Sequence, residues 1–298
     1  MDFLQPTTWS DALTLRAERP DALPIAGGTD VMVEMNFDRR RPPGLLDLTR
    51  VEDLATWSVD GDTVVLGAGV TYAALIADLA DLLPGLAMAS RTVGSPQIRN
   101  RGTVGGNLGS ASPAGDAHPP LLASRAVVEV ASVRGARRIP VAEFFTGVKR
   151  SALEPDELIR AVHVPCAKGP EQFSKIGTRN AMVIAVASFA IALDPVARLV
   201  GTGLGSAAPT PRPATEAEAY VTDELASAGL WESREHLPAP VVRRFGELVS
   251  AAASPIDDVR GSADYRRHAL GVMARRTLTW AWDEYRLGDQ ADRREAAG

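Results

Sequence analysis

The segment that most constrains the fold is Thr103 to His118, TVGGNLGSASPAGDAH, which carries four glycines, several hydroxyls and one carboxylate with scarcely a bulky side chain among them. Glycine lacks a Cβ, so a chain rich in it can close its backbone N–H groups on a ligand or take angles that other residues avoid. Such a segment either turns tightly or grips something. A shorter segment of the same kind, PIAGGTD at 24–30, lies about eighty residues earlier. Neither shows the G-x-G-x-x-G spacing of a dinucleotide-binding turn or the lysine pattern of a P-loop. Taken alone, AGGTD is more often a turn with a helix cap than a ligand site, and the longer segment is as readily a flexible surface loop. The longer segment nevertheless offers many N–H and hydroxyl donors without a lysine, a set able to hold a diphosphate.

The rest of the composition narrows the field. With 298 residues, 45% of them hydrophobic, the chain can bury a substantial core in two or three domains. Lys and Arg total 32 against 37 for Asp and Glu, so the net charge of −5 disfavours nucleic acid as a partner. Cys166 is the one cysteine. That excludes a disulfide framework, a cysteine zinc site and a four-cysteine iron–sulfur cluster within this chain, so any cluster belongs to a partner. The four histidines lack metal-ligand spacing, and neither a metal site nor a catalytic side chain is assigned. The start MDFLQPTTW lacks a secretory pattern, and the longest apolar run, 182–193, is too short to cross a bilayer and reads as a buried strand. The expectation is a cytoplasmic protein without a membrane span.

Along the chain, Thr8 followed by Asp11 opens a helix, and a strand at Leu23–Ala26 runs into Gly27 and Gly28. Thr29 is placed to cap a short helix over Val31, Met32 and Met35, and LLDL at 45–48 is the returning strand. TVVLGAG reads as a strand, followed by a helix from Thr71 whose Leu75, Ile76, Leu79, Leu82 and Leu83 fall at helical spacing until Pro84 and Gly85 end it. After the long glycine segment come PPLLAS as a short helix, VVEVAS as a strand, RRIPVAEFF as a strand leading to a helix, and ELIRAVHVP as a strand. Gly169 and Pro170 mark a boundary. Strands of a separate sheet and helices at 214–221, 239–253 and 263–286 complete the chain, with a flexible tail at 289–298.

AGGTDV at 26–31, QIRNRGTVGGNLGSASPAGDAHPPLLAS at 97–124, EFFTG at 143–147, then DELIRAVHVP, SKIGTRNAMVIAVAS and SADYRRHALGVMARRTL together span nearly the whole chain. In this order they resemble the FAD-binding medium subunit of the molybdenum hydroxylases, the family of xanthine dehydrogenases and aerobic carbon monoxide dehydrogenases. The resemblance implies an α+β fold: a two-subdomain FAD-binding unit of the vanillyl-alcohol-oxidase (PCMH) type at 1–56 and 57–168, then a C-terminal α+β domain at 169–288. It implies noncovalent FAD, with Ile25, Ala26, Gly27, Gly28, Thr29 and Asp30, and Thr103, Val104, Gly105, Gly106 and Asn107, around the diphosphate and ribityl chain. It also places the Asp116 carboxylate, the Lys175 ammonium and the apolar Ile159 at the cofactor. On the residues alone, Asp116 is a cap for the PPLLAS helix, a role compatible with a cofactor contact, Lys175 reads as a solvated strand-end lysine, and Ile159 equally as a core residue; because the family resembled holds FAD noncovalently, His118 is taken as helix-start packing.

The implied partners are a large molybdopterin subunit that oxidises the substrate and a small subunit with two [2Fe–2S] clusters, from which electrons reach FAD and leave to NAD⁺. Thr29-Asp30 stands where the carbon monoxide dehydrogenase branch tends to carry His-Ser, which points toward xanthine-dehydrogenase-like members. A single cysteine excludes the benzoyl-CoA reductase branch. The competing readings are a self-sufficient FAD oxidoreductase with its own substrate site, and a scaffold subunit that has lost flavin.

Overall fold

The structure is a computed structural model that describes residues 1–295, with side chains to residue 288. At the N-terminus, β1 (Asp2–Leu4) precedes α1 (Trp9–Glu18), which the Thr8 hydroxyl caps by accepting the Asp11 N–H at 3.1 Å. Then follow β2 (Leu23–Ile25), α2 (Val31–Asn36) and β3 (Gly44–Asp47). The three strands pair in parallel in the order β1-β3-β2, with α1 and α2 as the crossovers that parallel neighbours require. Thr29 does not cap α2. Asp30 occupies the cap position without a side-chain cap bond, because its carboxylate accepts from the Ser110 hydroxyl at 2.7 Å instead. A tertiary contact has displaced a local one.

The second unit contains β4 (Trp57–Asp60), β5 (Thr63–Gly67), α3 (Tyr72–Asp78), α4 (Pro84–Arg91), α5 (Pro96–Arg99), α6 (Val104–Ser110) and α7 (His118–Ala123). It continues with β6 (Val127–Ser132), β7 (Gly135–Pro140), α8 (Val141–Phe144), a small ribbon of β8 (Phe145–Gly147) and β9 (Arg150–Ser151), and β10 (Leu158–Pro165). Five strands form an antiparallel sheet in the order β4-β5-β10-β6-β7. The expected helix from Thr71 to Leu83 stops at Asp78, and Pro84 opens the next helix rather than ending the first. Proline suits a first helical turn, where its missing N–H costs nothing. Leu79 and Leu83 are both buried, so their spacing reported burial and not an unbroken helix. The glycine segment read as a loop contains α6: the Thr103 hydroxyl accepts the Gly106 N–H at 2.9 Å, and Ala111 ends the helix at φ 44°.

The third unit is an antiparallel sheet of β11 (Glu171–Ile176), β12 (Ala187–Asp194) and β13 (Leu199–Gly205), backed by α9 (Thr215–Ser227), α10 (Leu230–Ser233), α11 (Ala239–Ala252) and α12 (Ala263–Glu295). The apolar run at 182–193 enters its strand only at Ala187, opposite Ile176, and the residues between 177 and 186 form the connection. Of the tail expected at 289–298, the backbone to Glu295 belongs to α12, and 296–298 lie outside the described residues.

Among the described residues, two hydrophobic cores result. Leu46, Leu66, Leu108, Val128, Phe144 and Val162 belong to the first, which both N-terminal sheets share. Phe189, Leu204, Phe245, Leu278 and Trp282 belong to the second. The cores meet where α7 lies on β13: with no side chain at Gly201 and Gly203, the carbonyls of Ala123 and Pro119 settle directly on the strand.

Candidate FAD site

The two glycine segments meet. A Cβ on Gly27 would overlap the carbonyl oxygen of Arg101, two residues before the second segment, so only glycine lets the β2–α2 turn reach that backbone. The Asp30–Ser110 hydrogen bond fastens the same two segments farther along. Behind them, Thr71 and Thr103 form an isolated bridge, and the Tyr72 N–H donates to the Gly102 carbonyl at 3.0 Å, tying α3 to the entry of α6. The turn thus stands at the carboxyl end of β2, where open α/β sheets receive ligands.

Gly105 and Gly106 divide the work. A Cβ on Gly105 would lie 2.5 Å from Ala68, so this glycine lets α6 pack on the turn after β5. A Cβ on Gly106 would meet only the Thr103 hydroxyl, at 3.0 Å, and nothing else within 4 Å. That face is open. Ile159 enters from the sheet, with its Cδ1 3.9 Å from where a Cβ on Gly109 would be. It sits beside a β-bulge at Arg160, where β10 slips register against β6, a device that re-aims side chains near sites.

Asp116 and Lys175 come together across the domain boundary, Nζ to Oδ2 at 2.6 Å, with side chains 12% and 7% exposed. Neither bland expectation holds: Lys175 is not a solvated strand end, and α7 has Ala117 at its cap position with no side-chain cap bond. Burial pushes the Asp116 carboxyl up to about 6 despite the opposing pull of the ammonium. Lys175 also donates to the Thr92 carbonyl at 3.2 Å.

His118 does more than start a helix. Its Nε2 lies 3.2 Å from the Asn107 carbonyl, and the backbone of Asn107 and that of Ser112 both favour a protonated ring nitrogen. The ring packs on Phe145 of EFFTG at 4.6 Å between centroids, which accounts for that motif as a floor under the second glycine segment. Full burial depresses His118 to about 4. As pH falls from 6.5, the unfolded imidazole takes its proton first, so His118 costs the fold stability progressively down to about pH 4. The expected loss is about 3 kcal/mol over that window. Glu171 and Asp116 have raised folded-state values, about 7 and about 6, and act with the opposite slope. Denaturant titrations of the wild type and His118→Phe at pH 7.5 and 4 isolate the histidine part; equal pH dependence in the two proteins would contradict it.

Among the described residues, three buried polar atoms around this junction show no hydrogen-bond partner: Tyr72 Oη, Asn107 Oδ1 and Asp116 Oδ1. Buried polar groups are nearly always paired, so such a group of orphans needs an explanation. Tyr72 escaped the sequence reading, which saw it only as part of a helix. Its phenol is raised well above its ordinary value by burial, then by the charges of Asp116 and Asp30. Its place directly after Thr71, which pairs with Thr103, was the only trace, and that pairing is tertiary. Among the described residues, no group of three or more His, Cys, Asp or Glu is placed to hold a metal ion, and no helix is long and apolar enough to cross a membrane.

Comparison with known proteins gives the same outline. Residues 1–167 match the family described as the FAD binding domain in molybdopterin dehydrogenase, and residues 172–281 match the CO dehydrogenase flavoprotein C-terminal domain. The carbon monoxide dehydrogenase medium chain of Afipia carboxidovorans is 30% identical over 93% of this chain and 95% of its own. The xanthine dehydrogenase FAD-binding subunit of Escherichia coli O157:H7 is also 30% identical, over 94% and 95%. A chain in the crystal structure of the cyanide-inactivated Cu,Mo-CO dehydrogenase superposes with a TM-score of 0.86 at 30% identity, covering 95% of this chain and 98% of that one. The chain therefore belongs to the FAD-binding medium subunits of the molybdenum hydroxylases, and it is an FAD-binding oxidoreductase subunit.

Proposed function

We propose that this chain binds FAD at the junction of its two glycine segments and passes electrons from [2Fe–2S] clusters of a small partner subunit to NAD⁺, while a large molybdopterin subunit oxidises the substrate. The observation that carries the site is the group of three orphaned polar atoms, Tyr72 Oη, Asn107 Oδ1 and Asp116 Oδ1. Two of them, Asn107 Oδ1 and Asp116 Oδ1, are acceptors that call for donors. The hydroxyls of a ribityl chain supply donors of that kind, so the residues present fit FAD. On this reading the backbone of Ile25, Ala26, Gly27, Gly28, Thr29 and Asp30 and that of Thr103, Val104, Gly105, Gly106 and Asn107 hold the diphosphate and sugar alcohol. Asp116 takes hydroxyl hydrogens, Ile159 gives an apolar contact, and Lys175 sets its charge near the ring.

FAD supplies the capacity to take electrons singly and release them as a pair; this chain binds, orients and tunes it. No side chain need transfer a proton for hydride to leave, and none is assigned as catalytic. A xanthine-dehydrogenase-like complex is supported by Thr29-Asp30 alone, since the two curated relatives above are equally similar. Acid release of the chromophore from the purified chain tests the reading: FAD at one per chain is expected, and a folded chain that neither carries nor takes up FAD would overturn it. With FAD bound, reoxidation of the reduced chain by NAD⁺ faster than by oxygen is the expected sign of the acceptor.

A further inference from the structure

One strand of the C-terminal domain holds α4 at both ends. At its start, the Gly85 N–H donates to Glu171 Oε2 at 2.8 Å. At its end, the Thr92 carbonyl accepts from Lys175 Nζ at 3.2 Å. Glu171 and Lys175 are the first and fifth residues of β11, so they project from the same face. Four strand steps cover about 13 Å, and α4 from Gly85 to Thr92 rises about 10 Å. One face of the strand therefore spans the helix. The signs match as well: a carboxylate stands at the positive end of the helix and an ammonium at the negative end.

Glu171 is 8% exposed, and burial pushes its carboxyl up to about 7, opposed by the Gly85 hydrogen bond. Burying a carboxyl against a single backbone N–H is costly, and the raised value of Glu171 records that cost. What the contact fixes lies at the other end of the strand. Lys175 touches both Thr92 and Asp116, so its ammonium is located by the site carboxylate and by the end of α4. The far end of α4 is in turn located by Glu171.

We propose that Glu171 is a positioning residue which, through α4, fixes where Lys175 presents its charge to FAD and so sets the reduction potential of the bound flavin. The proposal rests on the reading of Lys175 as a neighbour of the cofactor. A fixed cation favours the electron-rich reduced flavin, so loosening it lowers the potential. Glu171→Gln keeps an oxygen that accepts from Gly85, whereas Glu171→Leu removes it.

The test is the midpoint potential of FAD bound to the full chain, measured by dye equilibration alongside thermal melts. Glu171→Leu and Lys175→Gln are each expected to shift the potential downward, and Glu171→Gln to leave it at the wild-type value. The double variant is expected to fall no lower than Lys175→Gln alone, because Glu171 acts through Lys175. A folded Glu171→Leu with the wild-type potential, or a double variant showing the sum of the two shifts, would overturn the proposal. Should Glu171→Leu fail to fold, Gly85→Ala makes the same comparison, since its Cβ would stand 2.8 Å from Glu171 Oε2 and displace it. A wild-type chain that takes up no FAD would instead overturn the cofactor assignment, before any variant is compared.

Discussion

Gly106→Val abolishes FAD binding while leaving the chain folded; this is the expected result with the largest functional effect. The open face of Gly106 gives the structural side of the prediction. Its Cβ would meet only the Thr103 hydroxyl at 3.0 Å, which a shift of a few tenths of an ångström relieves without giving up that hydroxyl's cap on α6. The branched side chain then stands where backbone is expected to approach the diphosphate. A loss of more than about a hundred-fold in FAD affinity is expected, since a displaced phosphate forfeits two or more charge-assisted hydrogen bonds. The neighbouring glycine provides the control. Gly105→Ala would press against Ala68 from inside the core at 2.5 Å, so it is expected to lower the melting temperature. FAD titration and melting curves on both variants separate the roles; a Gly106→Val chain that holds stoichiometric FAD would refute the assignment.

Lys175→Gln is expected to destabilise the chain by about 3–5 kcal/mol at neutral pH, the usual result of leaving one partner of a buried ion pair alone. Asp116 already sits at about 6 with the ammonium 2.6 Å away, so removing that charge raises it further. A raised folded-state value means that the native chain binds the proton before the unfolded one does. The deficit of the variant therefore shrinks as pH falls through that value, and Asp116→Asn in the same chain suppresses it. Urea titrations between pH 8 and 5 read both effects. A deficit independent of pH would mean that Asp116 is not the group left stranded.

The sequence alone determined most of the element order, because its signals there are local. Thr8 and Asp11 announced α1, and the Thr103 hydroxyl, already visible as a candidate donor, caps α6. The approach of Gly27 to Arg101 shows why that segment needed a residue without a Cβ, although its partner seventy-four positions away was invisible. The errors share a cause. Thr29 was given the cap of α2 because the competing Ser110 bond is nonlocal, and Leu82 and Leu83 were added to α3 because burial and helicity leave the same apolar trace.

What only the tertiary structure decided is how distant groups are charged and paired. Composition shows Asp116, Lys175, Tyr72, His118 and Glu171 as separate polar residues. Folding removes each from water, and a group removed from water must find a partner or shift its protonation. Lys175 found Asp116 and Thr92, Glu171 found Gly85, His118 found the Asn107 backbone, and Tyr72 Oη has no partner among the described residues. Local propensity set the segments, whereas desolvation, which depends on every neighbour at once, made the site.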